Sequence, residues 1–142
     1  MLNARFENGR LIPCQTLTEA FGLTPETHIV SFVGAGGKSS LIHALAKEEA
    51  TEKPVIITTT TRIVPVENYI SDKDKALEEL SKLRIITLAD PAEHGKLQYP
   101  GDDYMEQAIS AADLVLIEAD GSKQLPLKFP AEHEPVIHPK TQ

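Results

Sequence analysis

The segment HIVSFVGAGGKSSLIHALAKEEA, residues 28–50, constrains this chain more than any other. A run of strand-forming residues, HIVSFV, passes straight into the glycine-rich stretch GAGGKSS, and a helix-forming stretch opens at once behind it. Leu41, Ile42, Leu45 and Ala46 recur at i, i+1, i+4 and i+5, the spacing of one helix face. A buried strand that feeds a helix through a glycine turn is the first half of a βαβ unit. The chain is thereby directed to an α/β architecture.

The remaining sequence repeats the alternation. KPVIITTTT (53–61) reads as a second strand, nearly continuous in β-branched residues, and SDKDKALEELSKL (71–83) as a helix that starts on cap-type residues. Leu77, Leu80 and Leu83 keep helical spacing there. RIITL (84–88) is a third strand. After a polar loop, YMEQAISAA (104–112) is a helix and DLVLIEAD (113–120) a fourth strand. Strands apolar on both faces and separated by helices predict a parallel sheet with flanking helices and right-handed crossovers. The predicted domain covers residues 28–142. Residues 1–27 are an N-terminal appendage, with a hairpin in RFENGRLI around Asn8-Gly9 and a short helix in TLTEAFGL. Beyond Asp120, the prolines at 126, 130, 135 and 139 interrupt the chain and the sheet is expected to end early.

Length and charge narrow the class of function. With 142 residues the chain is a single domain, able to bury roughly 70% of its unfolded surface. Lys and Arg number 14 against 21 Asp and Glu, a formal net charge of −7 with no basic run, so nucleic acid is not the expected partner. A single cysteine, Cys14, excludes an internal disulfide and a finger-type zinc site. No stretch approaches the ~18 apolar residues of a membrane span, and the first ten residues lack a signal-peptide core. A cytoplasmic protein without membrane contact is expected.

The glycine turn carries the first chemical signal. GAGGKSS ends as a phosphate-binding loop ends, in Gly37-Lys38-Ser39, but Phe32 stands where G-x-x-x-x-G-K-[ST] has its first glycine. Gly34, Gly36 and Gly37 still permit the backbone angles that aim several amides at one anion. Ala35 and Ser40 complete the candidate loop, Lys38 brings a full charge to outer phosphates, and Ser39 stands where a hydroxyl ligates Mg²⁺. A glycine turn that merely joins strand to helix has the same outline; the Lys-Ser pair in strand-to-helix context favours phosphate binding.

Ligands in parallel α/β sheets lie beyond the carboxyl ends of strands. There the second strand offers Thr58, Thr59, Thr60 and Thr61, with Thr60 and Thr61 the candidates for contact with a terminal phosphate or its metal; β-propensity alone would also place threonines here. The fourth strand ends in Glu118-Ala119-Asp120 after four apolar residues, the form of a Walker B strand that holds Mg²⁺. The two carboxylates, two residues apart, lie on one side of an extended chain. An Asp-Gly turn closing an ordinary strand would look alike. Lys123 is a candidate second cation near the phosphates, with Lys128 less supported. The tail AEHEPVIH is not a zinc motif: His133 and His138 are five apart and Pro135 breaks any helix between them. His28, His43 and His94 are read as structural.

VGAGGKSSL, VIITTTTRI and LIEADGSKQLPLKFPAEHEPVI together resemble the YqeC family, over about residues 16 to 137. The resemblance implies a P-loop nucleotide-binding protein using ATP or GTP with Mg²⁺, accessory to the maturation of a selenium-dependent molybdenum hydroxylase. A molybdenum hydroxylase or its cofactor-maturation proteins would then be partners. On this chain the family's motif positions are Gly34, Gly36, Gly37, Lys38 and Ser39; Thr59, Thr60 and Thr61; Glu118, Asp120, Gly121, Ser122 and Lys123; and Glu132, His133 and Glu134. Lys38, Asp120 and His133 are the candidates for catalysis, and Ser39, Glu118 and Asp120 for metal. Members of the family are longer, and their pattern continues into further strands, so a chain truncated at its C-terminus is expected. Nucleotide hydrolysis or phosphoryl transfer is the leading expectation, beside a non-catalytic nucleotide-gated binding module and ligase-like acyl-phosphate chemistry.

Overall fold

The computed structural model describes residues 3–34, 36–64, 66, 69–121 and 135–142, and over them the predicted alternation is present with three further two-residue strands. β1 (Asn3–Glu7) and β2 (Arg10–Cys14) pair as an antiparallel hairpin. The turn residues Asn8 and Gly9 have φ of 50° and 77°, the left-handed pair that matches strand twist and that Asn-Gly adopts readily. α1 (Leu17–Phe21) is N-capped by the Thr16 hydroxyl, which accepts from the Glu19 amide, and closes on Gly22 in the left-handed region.

The main sheet follows. In chain order the elements are β3 (Ile29–Phe32), α2 (Lys38–Glu49), β4 (Val55–Thr59), β5 (Tyr69–Ile70), α3 (Lys73–Leu83), β6 (Ile85–Leu88), β7 (Asp90–Pro91), β8 (Leu97–Gln98), α4 (Asp102–Ala111) and β9 (Leu114–Glu118). Five strands lie in the order β3-β9-β4-β6-β5, and every pairing is parallel. β4 and β9 are buried at every position, which accounts for apolar runs with no alternation. β7 and β8 form a small antiparallel ribbon, bridged to Ile63 through Leu97.

Helices cover both faces. Phe32, Val55, Ile57, Leu114 and Leu116 meet Ile42, Leu45 and Ala46 of α2 on one face. On the other, Ile56, Val115 and Ile117 meet Ala76 and Leu80 of α3 and Met105, Ala108 and Ile109 of α4. Each fully buried Leu or Ile contributes roughly 1.5–3 kcal/mol, so these two interfaces dominate stability. The N-terminal segment is tied to the first face. The Glu48 carboxylate of α2 accepts from the Leu17 amide at 2.9 Å, the Thr18 amide at 2.8 Å and the Thr18 hydroxyl at 2.6 Å, and Phe21 meets Phe32 edge-on with ring centroids 5.7 Å apart.

Several boundaries differ from the sequence reading. β4 starts at Val55 because Pro54 has no amide for the ladder. α3 starts after Asp72, whose side chain accepts from the Asp74 and Lys75 amides, and α4 starts at Asp102, two residues earlier than its apolar pattern. β5 was not predicted: two residues cannot display a period. At the outer edge of β3, the Gln142 amide donates to the Ile29 carbonyl at 3.0 Å and the Ser31 and Thr141 hydroxyls lie 2.7 Å apart. No helix among the described residues is long and apolar enough to cross a membrane.

Candidate active site at the strand ends

Register builds the site. β9 pairs Glu118 with Phe32 on one side and with Thr59 on the other, so three neighbouring strands end level. The glycine turn leaves β3 from that line and enters α2. Gly34 and Gly37 have φ of 122° and 89°, and a Cβ at either would meet no atom within 4 Å, so glycine is required there for backbone angle and not for space. Gly37 is the N-cap of α2 and supplies no side-chain bond to its first amides. Gly36, Gly37, Ser39 and Ser40 are exposed, while Lys38 is buried.

Two carboxylates close the site from β9. Lys38 Nζ lies 2.8 Å from Asp120 Oδ1, with the two side chains 7% and 5% exposed, and also donates to the Gly34 carbonyl at 2.6 Å. The Gly34 amide donates to Asp120 Oδ2 at 2.9 Å. Asp120 thus holds the turn at both its ends. Beside it, Ser39 Oγ donates to Glu118 Oε2 at 2.8 Å. Burial pushes the Glu118 carboxyl above its ordinary range; the Ser39 hydrogen bond and the Lys38 charge oppose this, Asp120 adds to it, and His43 opposes it.

The structure therefore brings together Gly34, Gly36, Gly37, Lys38, Ser39, Glu118 and Asp120. Ser40 lies in the first turn of α2, exposed. The threonines divide. Thr59 Oγ1 directs its one hydrogen to the Glu118 carbonyl at 2.9 Å, with the Thr61 carbonyl also in reach at 3.1 Å, and accepts from the Thr61 amide at 3.0 Å. Thr60 instead donates to the Val136 carbonyl at 2.5 Å, on the α4 side of the sheet. The expected contacts of Ala35, Ser122, Lys123, Lys128, Glu132, His133 and Glu134 lie outside the described residues.

His43, read from the sequence as structural, belongs beside these residues. It stands one helical turn after Ser39, half-buried and within electrostatic reach of Glu118. The i, i+4 relation to Ser39 was the available signal. Chemically, exposed turn amides at the start of a helix favour an oxyanion, and Ser39, Glu118 and Asp120 offer the oxygen donors that suit a hard divalent cation. Among the described residues no group of three or more His, Cys, Asp or Glu forms a cage. A cation here would therefore draw part of its shell from water or from the bound anion.

The family model described as YqeC protein matches residues 30–142. The chain belongs to the YqeC family. It is 38% identical over 123 residues to the Escherichia coli (strain K12) protein named "Uncharacterized protein YqeC", covering 77% of this chain and 46% of the relative. The chain thus spans about half the length of the curated relative it matches. No solved structure matches it. The YqeC match opens at Val30 inside β3, so it includes the glycine turn, α2 and both β9 carboxylates and leaves out the hairpin and α1.

Proposed function

We propose that this YqeC-family protein binds a nucleoside triphosphate, ATP or GTP, with Mg²⁺ in a P-loop formed by residues 34–39, and hydrolyses it or transfers its terminal phosphoryl group. The observation that carries this reading is the meeting of Lys38, Ser39, Glu118 and Asp120 at three level strand ends. On triphosphate entry, Lys38 exchanges the Gly34 carbonyl and Asp120 for outer phosphate oxygens, and the turn amides at the start of α2 face the same oxygens. Ser39 and Glu118 would hold Mg²⁺, with Asp120 beside them, and the ion supplies neutralisation of charge on the transferred group. Asp120, once relieved of Lys38, is positioned to orient water. The family resemblance supports a role for this activity in maturing a selenium-dependent molybdenum hydroxylase.

Titration calorimetry of the full chain with ATP and GTP, with and without Mg²⁺, tests the reading. Lys38→Ala is expected to weaken triphosphate binding by about 1.5–3 kcal/mol, the worth of a charge-assisted contact. Unchanged affinity in a variant shown by circular dichroism to be folded would overturn the assignment. Asp120→Asn is expected to lower Mg²⁺-dependent phosphate release more than affinity; an equal fall in both would make Asp120 a binding or structural residue.

A further inference from the structure

A second cleft, about 320 Å³, opens at the same end of the sheet but on the α4 face. The tail closes it: the Val136 amide donates to the Ala119 carbonyl at 2.9 Å while its carbonyl receives the Thr60 hydroxyl. Met105, Val136, Ile137 and Pro139 give it apolar walls, and its volume lies at the small end of ligand pockets. Thr60 on its rim directly follows Thr59, whose hydroxyl bonds to the Glu118 carbonyl.

Among the described residues, the hydroxyl and ammonium donors at the polar rim are already engaged. The Tyr99 hydroxyl is given to Asp102 Oδ1 at 2.6 Å, the Thr60 hydroxyl to Val136, and the Lys140 ammonium to both Glu106 oxygens at 2.9 and 2.6 Å. The Lys140 amide donates to His138 Nδ1 at 3.3 Å. Two carboxylates stand against one ammonium. Burial, followed by the bond and charge of Asp102 and the charge of Glu106, raises the Tyr99 phenol, which therefore stays protonated with its hydrogen on Asp102. Thr58, one pleat below Thr60 on the same face, is 1% exposed, and its hydroxyl has no hydrogen-bond partner among the described residues.

We propose that this cleft binds a small planar cation or amino-substituted ring, a ligand that brings N–H donors and no negative charge, beside the phosphate site. Its standing as a second-substrate site rests on the triphosphate reading above; its ligand preference does not. An acceptor-rich rim over apolar walls leaves an anion both unpaired and repelled.

The test titrates the ¹⁵N-labelled full chain with benzamidine and with benzoate, a ring of similar size and opposite charge. Benzamidine is expected to shift the amides of Thr60, Asp102 and Ile137, with benzoate at least tenfold weaker. Glu106→Gln, an exposed helix position, is expected to weaken benzamidine at least fivefold and, by releasing Lys140, to admit benzoate. Equal binding of the two probes, shifts confined to other residues, or an unaffected Glu106→Gln would overturn the proposal. If MgATP and MgGTP fail to bind while benzamidine behaves as expected, the triphosphate reading falls and the cleft stands; nucleotide binding without benzamidine binding is the reverse.

Discussion

Lys38 and Asp120 form an ion pair that is almost wholly out of water. Its Coulombic attraction is set against the desolvation of both charges, so the pair adds little net stability, yet removing one partner strands the other. Lys38→Met is therefore expected to lower the unfolding free energy by about 3–5 kcal/mol in urea denaturation, and the double variant Lys38→Met/Asp120→Asn to recover a substantial part of that loss. A single variant as stable as the parent would show that water reaches Asp120 freely. The Lys38 and Ser39 positions were legible because Gly-Lys-Ser sits between strand and helix patterns. Which threonine joins Glu118 was not legible: four identical residues carry no phase, and a shift of one reverses the face each side chain takes. Only the pairing of Thr59 with Glu118 sets it.

The junction of α1 with α2 is held through Glu48, a single carboxylate that receives two amides and a hydroxyl. Burial raises the Glu48 carboxyl, but the bonds from the Thr18 hydroxyl and the Thr18 and Leu17 amides together outweigh it, and the net direction is down. A carboxyl depressed in the folded state contributes stability above its unfolded range, and that stability is lost as pH falls through the folded value. From about pH 5 downward, urea midpoints of the parent are expected to fall more steeply than those of Glu48→Gln. Parallel curves would assign the pH dependence to other carboxylates. At this scale the Asn-Gly hairpin and the main helices were readable from turn chemistry and apolar spacing. β5 was not, because its place is set by pairing Tyr69 and Ile70 with Thr87 and Leu88 across an intervening helix. The cleft on the α4 face was equally hidden, since Thr60, α4 and the tail are adjacent only once β9 is in place.

Across the whole molecule, the sheet order separates what the chain makes consecutively. β3 and β4 do not touch as partners; β9 lies between them. The candidate site inherits this arrangement, because its glycine turn and its carboxylates arise from opposite ends of the domain: Gly34 and Asp120 are 86 positions apart. Contacts so distant in sequence slow the search for the native state. On the ribosome, the turn is made long before the strand that fixes it. A fragment of residues 1–112 is expected to lack cooperative unfolding in urea, whereas the full chain shows a single sigmoidal transition; a cooperative fragment would mean that β3 and β4 close directly. The inserted strand thus acts as a timer: the glycine turn acquires its anchors only when synthesis has passed Asp120, so an incompletely made chain cannot present a finished site.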